Sequence, residues 1–308
     1  MKTCIVIYNP NSGHTLKKSK IPRYKEIIEK YGYNVTFIGT EYKGHAKEIV
    51  SHIGYVNLVI SMGGDGTFNE IVFGNLQRKQ RLVLAHIPVG TTNDIGVMFG
   101  YGKDIEKNLA LCLSGEVKGI DICLINNRPF VYVSGFGKFM TIPYDTPRDL
   151  KKKYGHMAYV WCGLKDFLGR TKNYDVTYEV NGEKVSGLYS FMLISSANRI
   201  AGVNNFYKDV KLDDDTFEVL MCTYTRRLDI IKALGKLVTS DAEHVDGFEF
   251  YRTSHLKITF KAHPKNAWCV DGEKLEIRTR EYDIKNERDV KILMPKKNIS
   301  KLFVNKED

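Results

Sequence analysis

A short apolar run, Asn57-Leu58-Val59-Ile60-Ser61, is followed almost at once by Gly63-Gly64-Asp65-Gly66-Thr67-Phe68-Asn69-Glu70. An apolar run without alternation reads as a strand covered on both faces, the pattern of a parallel sheet. Glu70-Ile71-Val72-Phe73 then continues at helical spacing. Three glycines and one aspartate therefore occupy a strand-to-helix turn. Glycine lets the backbone turn tightly and approach a ligand closely, and a helix start presents N–H groups to an anion, phosphate above all. Many parallel-sheet proteins carry glycines at such a turn, so the loop alone does not decide a function.

The segments around it repeat the same rhythm. Cys4–Tyr8, Asn34–Ile38, Asn57–Ser61 and Leu82–Ile87 read as strands. Helices are expected over Pro22–Tyr31, with Ile27 and Ile28 inward, over His45–Ile53, from Thr67, and over Asp104–Leu113. This alternation predicts a mainly parallel sheet covered by helices, with ligands beyond the carboxyl ends of its strands. Three loops of unusual composition fall at those ends: 9–13, 63–66 and 88–94. After about Gly119 strands dominate: Asp121–Ile125, Phe130–Gly135, Asp175–Val180, Leu188–Ser195, Phe217–Thr223, Phe248–Arg252, Leu256–Phe260, Trp268–Val270 and Val290–Met294. Asn181-Gly182 is a hairpin turn signal, and helices interrupt near Gly155–Leu168 and Leu228–Ser240. The expected fold is α/β plus β: an N-terminal, mainly parallel nucleotide-binding α/β domain over 1–120 and a C-terminal, largely antiparallel β-sandwich domain over 121–295. Residues 296–308 are expected to pack back on the first, and the active site to lie in the cleft between the two.

Composition narrows the function classes. The 308 residues are 43% apolar and 27% charged, the balance of a globular protein with a sizeable core, and the formal net charge is +10. Such a surface suits nucleic acid, an anionic membrane or a phosphorylated ligand. Zinc-finger spacings and the aromatic signature of an RNA-binding sheet are absent, so nucleic acid is not expected as a partner. No apolar run approaches the length of a spanning helix. Cys4, Cys112, Cys123, Cys162, Cys222 and Cys269 lack paired metal spacing and read as core thiols of a reducing compartment.

Four further motifs carry chemistry. Asn9-Pro10-Asn11-Ser12-Gly13 is a small, polar, turn-forming loop suited to a nucleotide. In Pro88-Val89-Gly90-Thr91-Thr92-Asn93-Asp94, Thr92 and Asn93 suit a helix cap or phosphate oxygens, and Asp94 suits an acceptor hydroxyl or a Mg²⁺-bound water. Asp271-Gly272-Glu273 is a tight turn that projects a carboxylate able to take a proton. Lys211-Leu212-Asp213-Asp214-Asp215-Thr216 crowds three carboxylates, a repulsion that a hard cation relieves. A Walker A lysine loop and a full G-x-G-x-x-G are both absent.

Taken in order, NPxSG, GGDGTxNE, PxGTxND and VDGE resemble the soluble bacterial diacylglycerol kinase family of lipid kinases, with sphingosine and ceramide kinases as more distant relatives. GGDGT alone also fits NAD kinases. The likeness runs from Ile5 to about Pro295 and includes Tyr144-Asp145-Thr146-Pro147 and Gly155-His156-Met157-Ala158-Tyr159. It implies transfer of the ATP γ-phosphate to a lipid hydroxyl, most nearly that of diacylglycerol. It implies Glu273 as general base, and Asp65, Asp94 and Asp121 as a carboxylate network around catalytic Mg²⁺, largely through waters. Gly63, Gly64, Gly66 and Thr67 are implied to cradle ATP phosphates, with Asn9, Ser12, Thr40, Thr92 and Asn93 at the same nucleotide. A second, structural Mg²⁺ is implied at Asp214, with the carbonyls of Lys211 and Thr216. The chain departs from the diacylglycerol-specific pattern at His14, Val97 and Cys162, where basic residues are expected, although Lys17 and Lys18 stand near the first. Asp215 replaces a glycine.

An insoluble acceptor calls for a membrane contact. Lys151-Lys152-Lys153-Tyr154 and the stretch with Tyr159, Trp161 and Phe167 are the candidates for an anionic surface. The expected location is cytoplasmic, peripheral to the inner face of the membrane, with a homodimer left open. The alternatives are a kinase of a soluble hydroxyl compound or of NAD, and a non-catalytic nucleotide- or lipid-binding regulator.

Overall fold

The structure is a computed structural model that describes residues 1–10, 18–90, 93–138, 171–200, 203–204, 207, 209–236, 240–275 and 278–304. The expected helix near Gly155–Leu168, the membrane candidates at 151–167, and Ser12, His14, Lys17, Thr92 and Cys162 lie outside these residues. So does the side chain of Lys18.

The chain forms two compact units, Met1–Asp121 with Arg288–Asp308, and Ile122–Glu287. In the first, β1 (Lys2–Tyr8), α1 (Ile21–Lys30), β2 (Tyr33–Gly39), α2 (His45–His52), β3 (Leu58–Gly63), α3 (Asp65–Leu76), β4 (Leu84–Pro88), α4 (Asp94–Met98), α5 (Ile105–Leu113) and the start of β5 (Glu116–Ile125) follow one another. The strands run parallel in the order β2-β1-β3-β4. Every residue of β3 is buried, as an apolar run without alternation requires of a central parallel strand. The inner face of α1 is Tyr24 and Ile28. Ile27, expected inward, is only half-buried, because positions four apart share a helix face and adjacent ones do not. At α5 the carboxylate of Asp104 accepts hydrogen bonds from the N–H groups of Glu106 and Lys107, an N-cap that sets the start of the helix.

The second unit is antiparallel. The rest of β5 pairs with β6 (Arg128–Phe130), followed by β7 (Val133–Gly137), β8 (Tyr174–Val180), β9 (Glu183–Tyr189) and β10 (Phe191–Ser195). The expected single strand over Phe130–Gly135 is thus two, and that over Leu188–Ser195 falls in β9 and β10. After the small ribbon β11 (Arg199–Ile200) and β12 (Val203–Asn204) come β13 (Phe217–Cys222), α6 (Arg227–Lys236), β14 (Phe248–Thr253), β15 (His255–Phe260), β16 (Cys269–Val270), β17 (Glu273–Lys274) and β18 (Glu281–Met294). One sheet has the order β14-β13-β10-β7-β16-β17; in the other, the start of β18 pairs with β15, β15 with β8 and β8 with β9.

Side chains alternate across a strand, so β10 feeds two cores. Met192 and Ile194 join Val176, Tyr178, Leu256, Ile258 and Trp268 between the sheets. Phe191 and Leu193 join Ile230 and Ala233 of α6 on the other side. The phenol of Tyr178 donates to Glu249 at 2.5 Å and that of Tyr189 at 2.8 Å, a polar clasp between the sheets. The Asn181-Gly182 turn has both residues at positive φ (51° and 82°), the conformation that asparagine and glycine tolerate and that a two-residue hairpin needs.

β18 is longer than the expected Val290–Met294. From Arg288 the chain belongs again to the first unit, where Ile292 pairs in parallel with Leu84 and α7 (Ile299–Leu302) packs with Leu302 and Phe303 buried. The five described cysteines are buried and none is in a disulfide. Among the described residues no helix is long and apolar enough to cross a membrane.

Candidate functional site

In the first unit four strands end at one level. Tyr8 lies opposite Gly39 and Met62, and Gly63 opposite Pro88. The residues that follow, Asn9, Thr40, Gly64 and Val89, therefore share the carboxyl edge of the sheet. Backbone bonds stitch that edge: Asn9 N–H donates to Met62 O at 3.2 Å, Thr40 N–H to Tyr8 O at 2.8 Å, and Val89 N–H to Gly63 O at 2.8 Å. Thr40 and Thr67 are each 9% exposed.

Glycine is required here by space. A Cβ on Gly63 would stand 2.5 Å from the Thr67 side chain, and one on Gly90 would stand 2.7 Å from the Cα of Gly64. The loops after β3 and β4 thus touch backbone to backbone. No side chain caps the start of α3, where the Thr67 and Phe68 N–H groups donate to Gly64 O at 3.0 and 3.2 Å; a helix start suits an anion through the N–H groups ahead of these. Asn93, at φ 54°, closes the second loop: its Oδ1 accepts from Gly90 N–H and its Nδ2 donates to Gly90 O, both at 2.8 Å. Asn93 is therefore engaged with its own loop.

Asp65 couples the two loops. Its Oδ2 accepts from Asp94 N–H at 3.0 Å and its Oδ1 from Ile95 N–H at 3.3 Å. The first residue of α3 thus caps α4, and a carboxylate at a helix start is favoured by the dipole as well as by the hydrogen bonds. Asp94 is 1% exposed. At the other end of α4, Asn298 Nδ2 donates to Met98 O at 2.9 Å. Val97 is exposed on this helix. Asp121 lies in β5, nearly buried.

Sequence reasoning passed over His86. It lies in β4 opposite Ser61 of β3, is fully buried, and stacks on Phe68 with ring centroids 4.8 Å apart. Its Nε2 is 4.0 Å from Asp65 Oδ1. Neither ring nitrogen has a hydrogen-bond partner among the described residues. Burial pushes its pKa down to about 3, so the ring is neutral near pH 7 and its approach to Asp65 is not an ion pair. A single imidazole inside Leu84-Ala85-His86-Ile87 was the signal available in the sequence.

In the second unit Asp271 and Gly272 take φ 47° and 80° between β16 and β17. The Asp271 carboxylate accepts from the N–H groups of Val131 at 2.6 Å and of Tyr132 and Val133 at 3.1 Å. Three amide donors on one carboxylate fix the turn that presents Glu273. Asp271 was not singled out from sequence, although it stands in the motif. Glu273 keeps 31% of its side chain exposed, with Arg128 Nη2 3.7 Å from its Oε2.

The acidic turn lies elsewhere in the same unit. Asp214 Oδ1 accepts from Thr216 N–H at 3.0 Å and Thr216 Oγ1 at 2.9 Å. Asp215 is at φ 61°, and Lys211 and Thr216 are half-buried. Next to the turn, Glu218 is 3% exposed, with Arg252 3.5 Å from its Oε1 and no hydrogen bond at Oε2. Burial pushes its carboxyl up to about 7, against the pull of Arg252 and with a further push from Asp214. Hard oxygen donors with excess negative charge suit Mg²⁺. The described residues contain no group of three His, Cys, Asp or Glu that could by itself hold a metal, so carbonyls and waters would have to complete any such shell.

Residues 3–125 match the family model described as diacylglycerol kinase catalytic domain. The chain is 32% identical over 265 residues to the diacylglycerol kinase of Staphylococcus aureus (strain JH9), spanning 84% of this chain and 80% of that protein. It is 27% identical over 305 residues to the diacylglycerol kinase of Bacillus subtilis (strain 168), spanning 98% and 99%. Its fold is similar to the crystal structure of a putative diacylglycerol kinase from Bacillus anthracis str. Sterne, with a TM-score of 0.81, 20% identity and 97% of each chain covered.

Proposed function

The chain belongs to the diacylglycerol kinase family of ATP-dependent lipid kinases, and on that premise we propose that its acceptor is a diacylglycerol-like lipid and that Glu273 is the base. The observation that carries the reading is Asp65, which locks together two glycine loops at the carboxyl edge of a parallel sheet, where such folds bind ligands. Gly63, Gly64, Gly66 and Thr67 cradle the ATP phosphates, with Asn9, Ser12, Thr40, Thr92 and Asn93 shaping the nucleotide site. Asp65, Asp94 and Asp121 are the carboxylates that would hold Mg²⁺. When bound, Mg²⁺ neutralises charge on the transferring phosphoryl oxygens; phosphoryl transfer depends on such neutralisation and on positioning more than on covalent help. Glu273 takes the proton of the acceptor hydroxyl as its oxygen bonds to the γ-phosphorus, the bond to the β,γ-bridging oxygen breaks, and ADP leaves.

A second Mg²⁺ at Asp214, with the carbonyls of Lys211 and Thr216, is the structural counterpart of this proposal, supported by the Asp214 carboxylate at the turn and the buried Glu218 carboxylate in the strand beside it. The enzyme works at an anionic membrane surface, peripheral to the inner leaflet. His14, Val97 and Cys162 remove positive charge that the diacylglycerol-specific pattern carries, so the acceptor need not be diacylglycerol itself. Nucleic acid is not a partner in this reading, and a homodimer stays open.

The test is transfer from labelled ATP with Mg²⁺ into mixed micelles holding diacylglycerol, monoacylglycerol, ceramide, sphingosine or undecaprenol. Label should enter a lipid, and Glu273→Gln should lower turnover roughly 10²–10⁴-fold while ATP binding persists. Equal turnover in the variant removes Glu273 from the base role. Diacylglycerol as best acceptor by a wide margin removes the divergent-acceptor reading.

A further inference from the structure

At one end of the second unit, the start of β8, the end of β15 and the approach to β18 come together, because Phe260 pairs with Val176 and Thr259 with Glu281. Residues 172–175 and 260–265 line a groove of about 510 Å³ there. Its apolar lining is the exposed Ala262, the half-buried Tyr174 and the buried Phe260 and Pro264. Its rim is basic: Lys172, Lys261 and Lys265 are all exposed. The one carboxylate among the lining residues, Asp175, is paired with Lys261 at 2.9 Å. Two more cations are anchored beside it. Arg278 Nη1 donates to Lys265 O and Arg280 Nε to Phe260 O, each at 3.0 Å. Counting Glu281, the exposed neighbour of Arg280, five cations against two carboxylates leave a net +3 around the trough.

We infer that this groove is the surface on which the protein docks to an anionic lipid bilayer, the lysines and arginines meeting headgroup phosphates while the exposed Ala262 and the half-buried Tyr174 face the acyl boundary. The charge is complementary to an acidic leaflet, where each basic residue adds to attraction within about a Debye length. Lysine stems can lie along an apolar floor with their ammonium groups among headgroups. Single-stranded nucleic acid is disfavoured at Phe260, which is 1% exposed and offers no open ring face for a base to stack on. The inference rests on the reading of this chain as an enzyme of membrane lipid.

The experiment uses the full chain and sedimentation with phosphatidylcholine vesicles, with and without phosphatidylglycerol, at rising salt. The variant is Lys172→Gln/Lys265→Gln/Arg278→Gln; the control removes equal charge from the first unit, Lys30→Gln/Lys79→Gln/Lys103→Gln. Each removed cation is worth roughly fivefold in partitioning. The groove variant should therefore bind anionic vesicles about 100-fold more weakly than wild type, with an unchanged Tm, and the control clearly less so. Amides of 261–265 should gain protection from hydrogen exchange on anionic vesicles. Equal losses in variant and control, or no protection at 261–265, overturn the groove. Wild-type protein that ignores anionic vesicles overturns membrane docking altogether, an outcome separate from the micelle assay of lipid phosphorylation. A variant that loses a single-stranded oligonucleotide but keeps vesicles replaces the bilayer with nucleic acid.

Discussion

His86 and Asp65 show how a single residue can carry a cost set by its neighbours. The buried imidazole of His86 stays neutral, so below pH 6.5 the unfolded chain takes up a proton that the folded chain refuses. Its contribution to stability is whole above pH 6.5 and is lost as pH falls toward about 3. We predict that this one group lowers unfolding free energy by about 2 kcal/mol between pH 7.5 and pH 5, and that His86→Leu removes this component from urea titrations at the two pH values. An unchanged slope would place the proton elsewhere. Glu218 acts in the opposite sense: its raised carboxyl favours the fold at low pH and loses that advantage as pH rises through about 7. The comparison must therefore be made as a difference between variants. At the acidic turn, Asp214→Asn should lower both bound Mg²⁺ by elemental analysis and the Tm; unchanged metal content rules the site out. The motif carboxylates stood out in the sequence because like charges and glycines at a turn have few other uses. His86 did not, because a histidine in an apolar strand acquires meaning only from what packs on it.

At the scale of elements, close approach decides which small residues matter. A Cβ on Gly74 in α3 would collide with the carbonyl oxygen of Lys47 and lie 3.0 Å from Val50 Cβ in α2. Gly74→Ala would gain helix propensity, about 1 kcal/mol, yet it should destabilise the protein on balance because overpacking costs about 1–3 kcal/mol or more where backbone must move. Denaturant midpoints measure this; a stabilised variant would mean that α2 can yield. The strand-to-helix turns were readable from periodicity and glycine placement. Boundaries were not: β18 begins nine residues before the expected Val290, because Glu281–Asp289 is polar apart from Tyr282 and Ile284, and Glu281–Lys285 becomes strand by pairing with β15.

At the scale of the molecule, the first unit is discontinuous in sequence. Its last piece brings Ile292 beside Leu84, buries Leu302 and Phe303, and pins α4 through Asn298. Ending the chain after Pro295 should lower the Tm, since Leu302 and Phe303 alone are each comparable to core truncations of about 2–5 kcal/mol. It should also raise the KM for ATP through α4. A truncated protein with both values unchanged would show that the terminal segment is dispensable. What the sequence by itself determined are the features with a local cause: an apolar run without alternation makes a central parallel strand, glycines at its end make a tight turn, and an Asn-Gly pair makes a hairpin. Only the tertiary structure decided that Gly64 and Gly90 touch, that Asp65 caps a helix 29 residues away, that Asp271 gathers three amides from β6–β7, and that cations from three segments surround one groove. Those contacts join residues distant in the chain, and no local preference encodes them; they exist because close packing leaves each buried polar group only the partners that the fold brings within reach.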